Sequence, residues 1–161
     1  LGKAFGLSGG LVAGDAPLLR LLESTARSYV FSTGVHAALA AAVPPVTELV
    51  RASDPARAHL VAHRRTLADA LDGLPGVPPG LDPAVPILPI LVGDGPRALA
   101  LADRLLARGL FVRGIRPPTV PLGTARLRLV PMATHRPEDI REAASVLREE
   151  LARAPGPVVR P

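Results

Sequence analysis

From Pro137 onward apolar residues recur every three or four positions, at Ile140, Ala144, Leu147 and Leu151, behind an opening Pro137-Glu138-Asp139. This spacing predicts a helix with one apolar face, and its acidic first turn complements the helix dipole. Just upstream the period changes to two: in "ARLRLVP" (125–131) Leu127 and Leu129 alternate with Arg126 and Arg128, as in a strand with one core face and one open face. "LFVRGI" (110–115) is also strand-like, and "ILPILVG" (87–93) reads as a buried strand whose proline suits a sheet edge. Between these two, a helix with Pro96 near its start is expected to turn Leu99, Ala102, Leu105 and Leu106 inward and to stop at Gly109. The order from Ile87 is therefore strand, helix, strand, strand, helix, which predicts an α+β unit of helices on a mostly antiparallel sheet.

The earlier half is less regular. "GGLVAG" (9–14) reads as a short strand or extended segment, followed by Asp15 as the N-cap of a helix with Pro17 in its first turn and Leu18, Leu21 and Leu22 on one face. "SYVFSTG" (28–34) looks extended and leads into a long helix from His36, which Pro44 and Pro45 should kink or break. Leu60, Arg64, Leu67 and Leu71 predict an amphipathic helix over 55–72, with the aliphatic stem of Arg64 filling a slot in its apolar face. The stretch 73–86 is a proline-glycine connector, and the tail 154–161 is expected to be disordered.

Composition narrows the function classes. A chain of 161 residues with 48% hydrophobic residues builds one ordinary domain or a piece of a larger protein. It begins on Leu1 in the middle of a motif, which reads as the excised end of a longer chain. No run of apolar residues reaches membrane-spanning length, no leader is recognisable, and the absence of cysteine excludes disulfides and thiolate metal sites. The expected compartment is the cytoplasm. A net charge of +5 raises the question of nucleic acid, but the arginines are scattered and only 2% of residues are aromatic, so stacking platforms are missing and a small anionic ligand fits better.

One lysine, Lys3 in "LGKAFGLSGG", stands against eighteen arginines. A guanidinium stays protonated, whereas a lysine amine can shed its proton and attack a carbonyl. Lys3 is thus a candidate covalent nucleophile, or else a leftover surface cation. Arg126 and Arg128 share a strand face, where a guanidinium fork suits a carboxylate, although a plain solvated face would look the same. Before them, Pro117, Pro118, Pro121 and Gly123 fix a loop that holds Arg116 and Thr119. His59 and His63 lie one helical turn apart without a third metal ligand, which predicts a surface pair and no metal site. His135 lies near the Arg128 strand and could help shape a pocket.

The segments "LGKAFGLSGGLVAG", "RSYVFSTG" and "IRPPTVPLGTARLRLVPMATH", in this order, resemble the C-terminal part of the α-oxoamine synthases, fold-type I pyridoxal-phosphate enzymes. The resemblance runs to about Leu151, and its last block is the most specific. It implies an α/β fold overall, with 1–54 the end of a large cofactor-binding domain and its connecting helix, and 55–153 a small C-terminal α+β domain. It also implies roles. Lys3 matches the lysine that bonds covalently to pyridoxal phosphate, Arg128 the arginine that holds the amino-acid carboxylate, and Thr119 a loop threonine near cofactor and substrate. Ser32 and Thr33 match residues that reach the cofactor phosphate from the other subunit of a homodimer, although a plain N-cap would use the same residue types. The family continues after this Ser-Thr step with Ala/Ser-Leu-Pro-Pro, where this chain has Gly34-Val35-His36-Ala37. The aspartate, histidine and glycine-rich region expected around the cofactor would precede Leu1.

The activity implied is decarboxylative condensation of L-alanine with a pimeloyl thioester carried on coenzyme A or an acyl carrier protein. The alternatives are another amino acid and acyl group, such as glycine with an acetyl donor, an ordinary class I/II aminotransferase, or a non-catalytic piece serving as a folding or dimer module. Taken alone, the 161-residue chain is expected to be inactive.

Overall fold

The structure, a computed structural model, describes residues 1–80, 82 and 84–153; the tail 154–161 lies outside the described residues. Two compact units divide it, Leu1–Asp54 and the chain from Pro55 onward.

In the second unit, strands β1 (Leu88–Gly93), β2 (Arg113–Ile115) and β3 (Ala125–Leu129) form an antiparallel sheet in the order β1-β3-β2. The register sets Leu88 opposite Leu129 and places Leu127 between Ile90 and Gly114. The alternation read from the sequence is therefore a division of faces: Leu88, Ile90, Val92, Ala125, Leu127 and Leu129 are buried on one side. Against that side lies α5 (Gly95–Ala107), and α6 (Pro137–Arg153) packs on α5. Ile140, Ala144, Leu147 and Leu151 of α6 are buried as their spacing requires, and α4 (Asp54–Leu71) adds Leu67 and Leu71. Each leucine so buried contributes about 1.5–3 kcal/mol relative to exposure.

Two glycines permit close approaches. A Cβ at Gly114 would lie 3.1 Å from the carbonyl oxygen of Ala98, so the bare backbone of β2 lets α5 lie close. At Gly76, with φ +84°, a Cβ would lie 2.0 Å from the Leu91 oxygen. There the Leu91 amide donates to the Gly76 carbonyl at 2.7 Å, so the proline-glycine connector occupies the edge of β1 that would otherwise stay unpaired.

Polar groups enter this core in three places. Glu150 of α6, with its side chain 5% exposed, accepts from Arg104 Nε at 3.0 Å and pairs with Arg108 and Arg153. The Arg104 hydrogen bond, followed by Arg108 and the fields of Arg153 and Arg104, outweighs desolvation and holds the Glu150 carboxyl below its ordinary pKa. Arg64 is buried whole, guanidinium included, and its three side-chain nitrogens find no hydrogen-bond partner among the described residues. Burial lowers its pKa, opposed by the field of Asp82. The expectation that only its stem would be covered is corrected. His63 is also buried, its Nε2 3.0 Å from the His135 carbonyl oxygen, which corrects the reading of His59 and His63 as a surface pair.

The inner face of α5 is Ala98, Leu101 and Leu105, whereas Leu99 and Leu106 are exposed. Of the expected inner face, Leu105 is buried and Ala102 packs against the core, while Leu99 and Leu106 are corrected to the outer side. Asp94, whose side chain accepts from the Arg97 amide at 3.0 Å, fixes where the helix begins and thereby its phase.

The first unit holds a 3-10 turn at Lys3–Phe5 and helices α1 (Ala16–Thr25), α2 (Arg27–Val30) and α3 (Ala37–Arg51). "GGLVAG" forms no strand, and the stretch expected to be extended contains the short helix α2. Asp15 stands at the N-cap of α1 without a side-chain cap bond. Helix α3 runs through Pro44 and Pro45. Each proline lacks the N–H that would reach back four residues, which frees the carbonyls of Ala40 and Ala41. Both residues are exposed, so water can take those acceptors, and the helix continues.

Candidate active site

The residues singled out for chemistry fall in both units. Lys3 opens the 3-10 turn with φ +58°, the one positive φ among the described non-glycine residues. An L-residue seldom adopts this conformation, which costs on the order of 1–3 kcal/mol and persists only where neighbours impose it. Local bonds impose it here: the Gly6 amide donates to the Lys3 carbonyl at 2.8 Å, Leu7 N to Leu1 O at 3.1 Å, and the Leu1 ammonium to Gly9 O at 2.9 Å. Helix α3 packs against the same turn. The Lys3 side chain is exposed and enters no ion pair among the described residues.

Ser32 and Thr33 follow α2 and are exposed. The Ser32 hydroxyl donates back to the Ser28 carbonyl. Neither residue caps α3, because His36 does so, its Nδ1 accepting from the Ala38 amide at 3.1 Å. The N-cap alternative for this pair is thereby removed.

In the second unit Arg128 is exposed on the face of β3 opposite the core. Arg126 shares that face, with its Nε donating to the Thr124 carbonyl at 3.0 Å. Thr119 lies in the loop between β2 and β3, its amide donating to the Arg116 carbonyl at 3.1 Å. The loop tightens again where both the amide and the hydroxyl of Thr124 reach the Pro121 carbonyl, at 3.2 and 2.8 Å. An open groove of about 600 Å³ runs beside it, between the start of α5 at Gly93–Arg97 and loop residues Arg116, Pro117, Leu122 and Gly123. Of these, sequence reasoning had singled out only Arg116; the rest carried no signal beyond glycine and proline punctuation. His135 Nδ1 accepts from the Met132 amide at 3.2 Å and so fixes the turn after β3. No group of three His, Asp or Glu able to hold a metal occurs among the described residues, and no helix among them is long and apolar enough to cross a membrane.

The first unit thus carries an exposed primary amine on a pinned, strained turn together with two exposed hydroxyls, a set whose chemistry fits an aldehyde and a phosphate such as those of pyridoxal phosphate, and the second unit by itself carries guanidiniums on an open sheet face, whose chemistry fits a carboxylate. The architecture is that of the fold-type I pyridoxal-phosphate enzymes. Within that class the chain belongs to the aminotransferase class I and II family, whose model matches residues 1–147. It is 46% identical over 142 residues to 8-amino-7-oxononanoate synthase from Aeromonas hydrophila, a match covering 86% of this chain and 34% of that relative. Among solved structures it resembles serine palmitoyltransferase from Sphingomonas wittichii, with a TM-score of 0.80, 26% identity, and 95% of this chain and 39% of that one covered. A high-resolution structure of SPT with its PLP internal aldimine superposes with a TM-score of 0.81 at 24% identity, over 94% of this chain and 38% of that one. The chain thus spans little more than a third of the proteins it matches.

Proposed function

We propose that this sequence is the C-terminal portion of a homodimeric, cytoplasmic α-oxoamine synthase that condenses L-alanine with a pimeloyl thioester, with loss of carbon dioxide, to give 8-amino-7-oxononanoate. The observation that carries the reading is the 46% identity to 8-amino-7-oxononanoate synthase across 86% of this chain, beside a family match over residues 1–147, the span in which Lys3, Ser32, Thr33, Thr119 and Arg128 lie. In this reading 1–54 closes the large cofactor-binding domain and 55–153 is the small domain.

Pyridoxal phosphate, when bound, supplies an aldehyde for covalent attachment of an amino group and a ring that withdraws electrons from the adjacent carbon. The chain's residues supply position and proton traffic. Lys3 Nζ would hold the cofactor through its aldehyde and, as a free amine, would serve as the general base that takes the α-proton of alanine. Its turn fixes where the Lys3 backbone launches the side chain, while the four side-chain torsions leave the amine free to reach its partner. Arg128 would take the alanine carboxylate and so fix how the substrate's α-carbon is presented to the cofactor. Ser32 and Thr33 hold the phosphate across the dimer. The Ser32 hydroxyl must turn away from the Ser28 carbonyl to do so, while Thr33 is exposed. Thr119, on its short turn from Arg116, borders the substrate.

The test is condensation by the intact enzyme, read by product mass, with alanine and pimeloyl thioester set against serine or glycine and other acyl donors. Lys3→Arg keeps the charge but removes the chemistry, and is expected to lower turnover by at least about a thousandfold, the scale for losing a covalent catalyst. Undiminished turnover in that variant refutes the reading. The 161-residue chain alone is expected to show none, as most of the cofactor shell lies in the other part of such an enzyme.

A further inference from the structure

The register of the sheet places a second arginine beside the first. Arg113 of β2 is the cross-strand partner of Arg128, with Pro89 of β1 opposite Arg128 on the other side. Arg113 and Arg128 are both exposed, and both stand on the face away from the core, where Gly114 and Leu127 point the other way. The remaining strand positions on this face are Leu91, Ile115 and Arg126. None of the six is acidic. Beyond the strand pairing of their backbones, neither the Arg113 nor the Arg128 side chain has a hydrogen bond or ion pair among the described residues.

Directly opposed side chains on antiparallel strands have Cβ atoms roughly 5 Å apart, and like charges in that relation repel. Two long guanidinium arms at this separation can close on one small anion lying between them, which turns the repulsion into shared attraction. A carboxylate offers two oxygens, one for each fork. The alternation that sets Arg126 and Arg128 on one face could not reveal this neighbour, because Arg113 lies fifteen positions upstream of Arg128 and only strand pairing unites them.

We infer that Arg113, register-paired with Arg128 on the open face of the sheet, is a second binding residue for the carboxylate of the amino-acid substrate. This rests on the reading of Arg128 as the carboxylate anchor. Two guanidiniums also make the site a good seat for a dianion, so inorganic sulfate should compete with alanine.

The experiment uses the intact, cofactor-loaded enzyme and follows alanine binding by spectral titration, with and without sodium sulfate. Arg113→Gln is expected to raise the Kd for alanine about tenfold, as for loss of one charge-assisted hydrogen bond, and to weaken sulfate competition similarly. Arg113→Lys should recover part of both, as the charge returns without the fork. A melting curve of each ligand-free variant serves as the folding control, and relief of the repulsion should leave Arg113→Gln at least as stable as the parent. If Arg113→Gln binds alanine and sulfate as tightly as the parent while Arg128→Gln loses alanine, the inference falls and the reading of Arg128 stands. If neither variant loses alanine, both fall.

Discussion

Leu1–Asp54 and the chain from Pro55 onward use apolar residues differently. Every buried side chain among the described residues belongs to the second unit, and the helices of the first bury none. The first unit is not polar, however: Phe31 is 78% exposed, and Leu11 and Leu49 are 67% exposed. What differs is whether an apolar position meets a partner within its own unit. In the second unit the strand period and the helix period converge on one core, so its sequence is explained by its own packing. In the first, short helices and a strained turn carry Lys3, Ser32 and Thr33, and the apolar side chains between them are at most half-buried, such as Leu22, Leu39 and Val46. The buried core and the lysine proposed for covalent chemistry thus lie in different stretches of the chain.

The sharpest way to break this contrast is to make one substitution in each unit. Gly76→Ala is expected to destabilise the chain by about 3–5 kcal/mol, because its Cβ would fall 2.0 Å from a backbone oxygen and its φ of +84° is strained for alanine. Phe31→Ser, although it removes a large apolar side chain, should change stability by less than about 0.5 kcal/mol, as for an exposed site. Denaturant titration of the two variants decides. Equal losses would mean that the first unit has a core of its own.

An intermediate effect is expected at Glu150. Replacing it with Gln removes the carboxylate shared by Arg104, Arg108 and Arg153 and should cost about 1–3 kcal/mol near neutral pH, where a charged acceptor is lost from a buried position. The pH dependence has a definite sign. The folded pKa lies below the ordinary value of 4.5, so the stabilisation is complete above 4.5 and is lost as the pH falls through the lowered value. The parent should therefore lose stability across that acid range more steeply than Glu150→Gln, as measured by melting temperature against pH.

Much of the second unit was legible because its periods are unambiguous. Ile140, Ala144, Leu147 and Leu151 fit one helix face, and Leu127 and Leu129 one strand face, without competing choices. The face of α5 was misread because "ALALADRLL" supplies apolar residues in almost every direction, so spacing alone does not fix a phase. Glu150 and Arg64 were not anticipated as buried groups, since a charge is ordinarily placed outside and only the guanidiniums of another helix explain the burial of Glu150. At the candidate site composition set Lys3 apart and alternation put Arg126 and Arg128 on one open face, while the role proposed for Arg128 was legible only through the family resemblance. Arg113 was not, because its relation to Arg128 exists only through strand pairing. The strain at Lys3 left no trace in the sequence either, since a lysine there gives no warning of a positive φ.

The smallest effect separates two aspartates that the sequence treats alike. Asp15 and Asp94 both stand at helix N-caps ahead of a proline in the first turn. Only Asp94 accepts a backbone hydrogen bond, from the Arg97 amide at 3.0 Å, while Asp15 makes no such bond. A cap that satisfies an otherwise unpaired amide is worth about 1 kcal/mol, so Asp94→Ala should lose about that much. It does so in the unit whose helix phase depends on where α5 begins. Asp15→Ala should stay within about 0.3 kcal/mol, the residual being the favourable field of a carboxylate at a helix start. Paired denaturant curves at low and high salt tell the two contributions apart, since salt screens the field but leaves the hydrogen bond largely intact. A loss at Asp15 equal to that at Asp94, and insensitive to salt, would show that α1 is capped and held as firmly as α5, and the division between the two units would narrow accordingly.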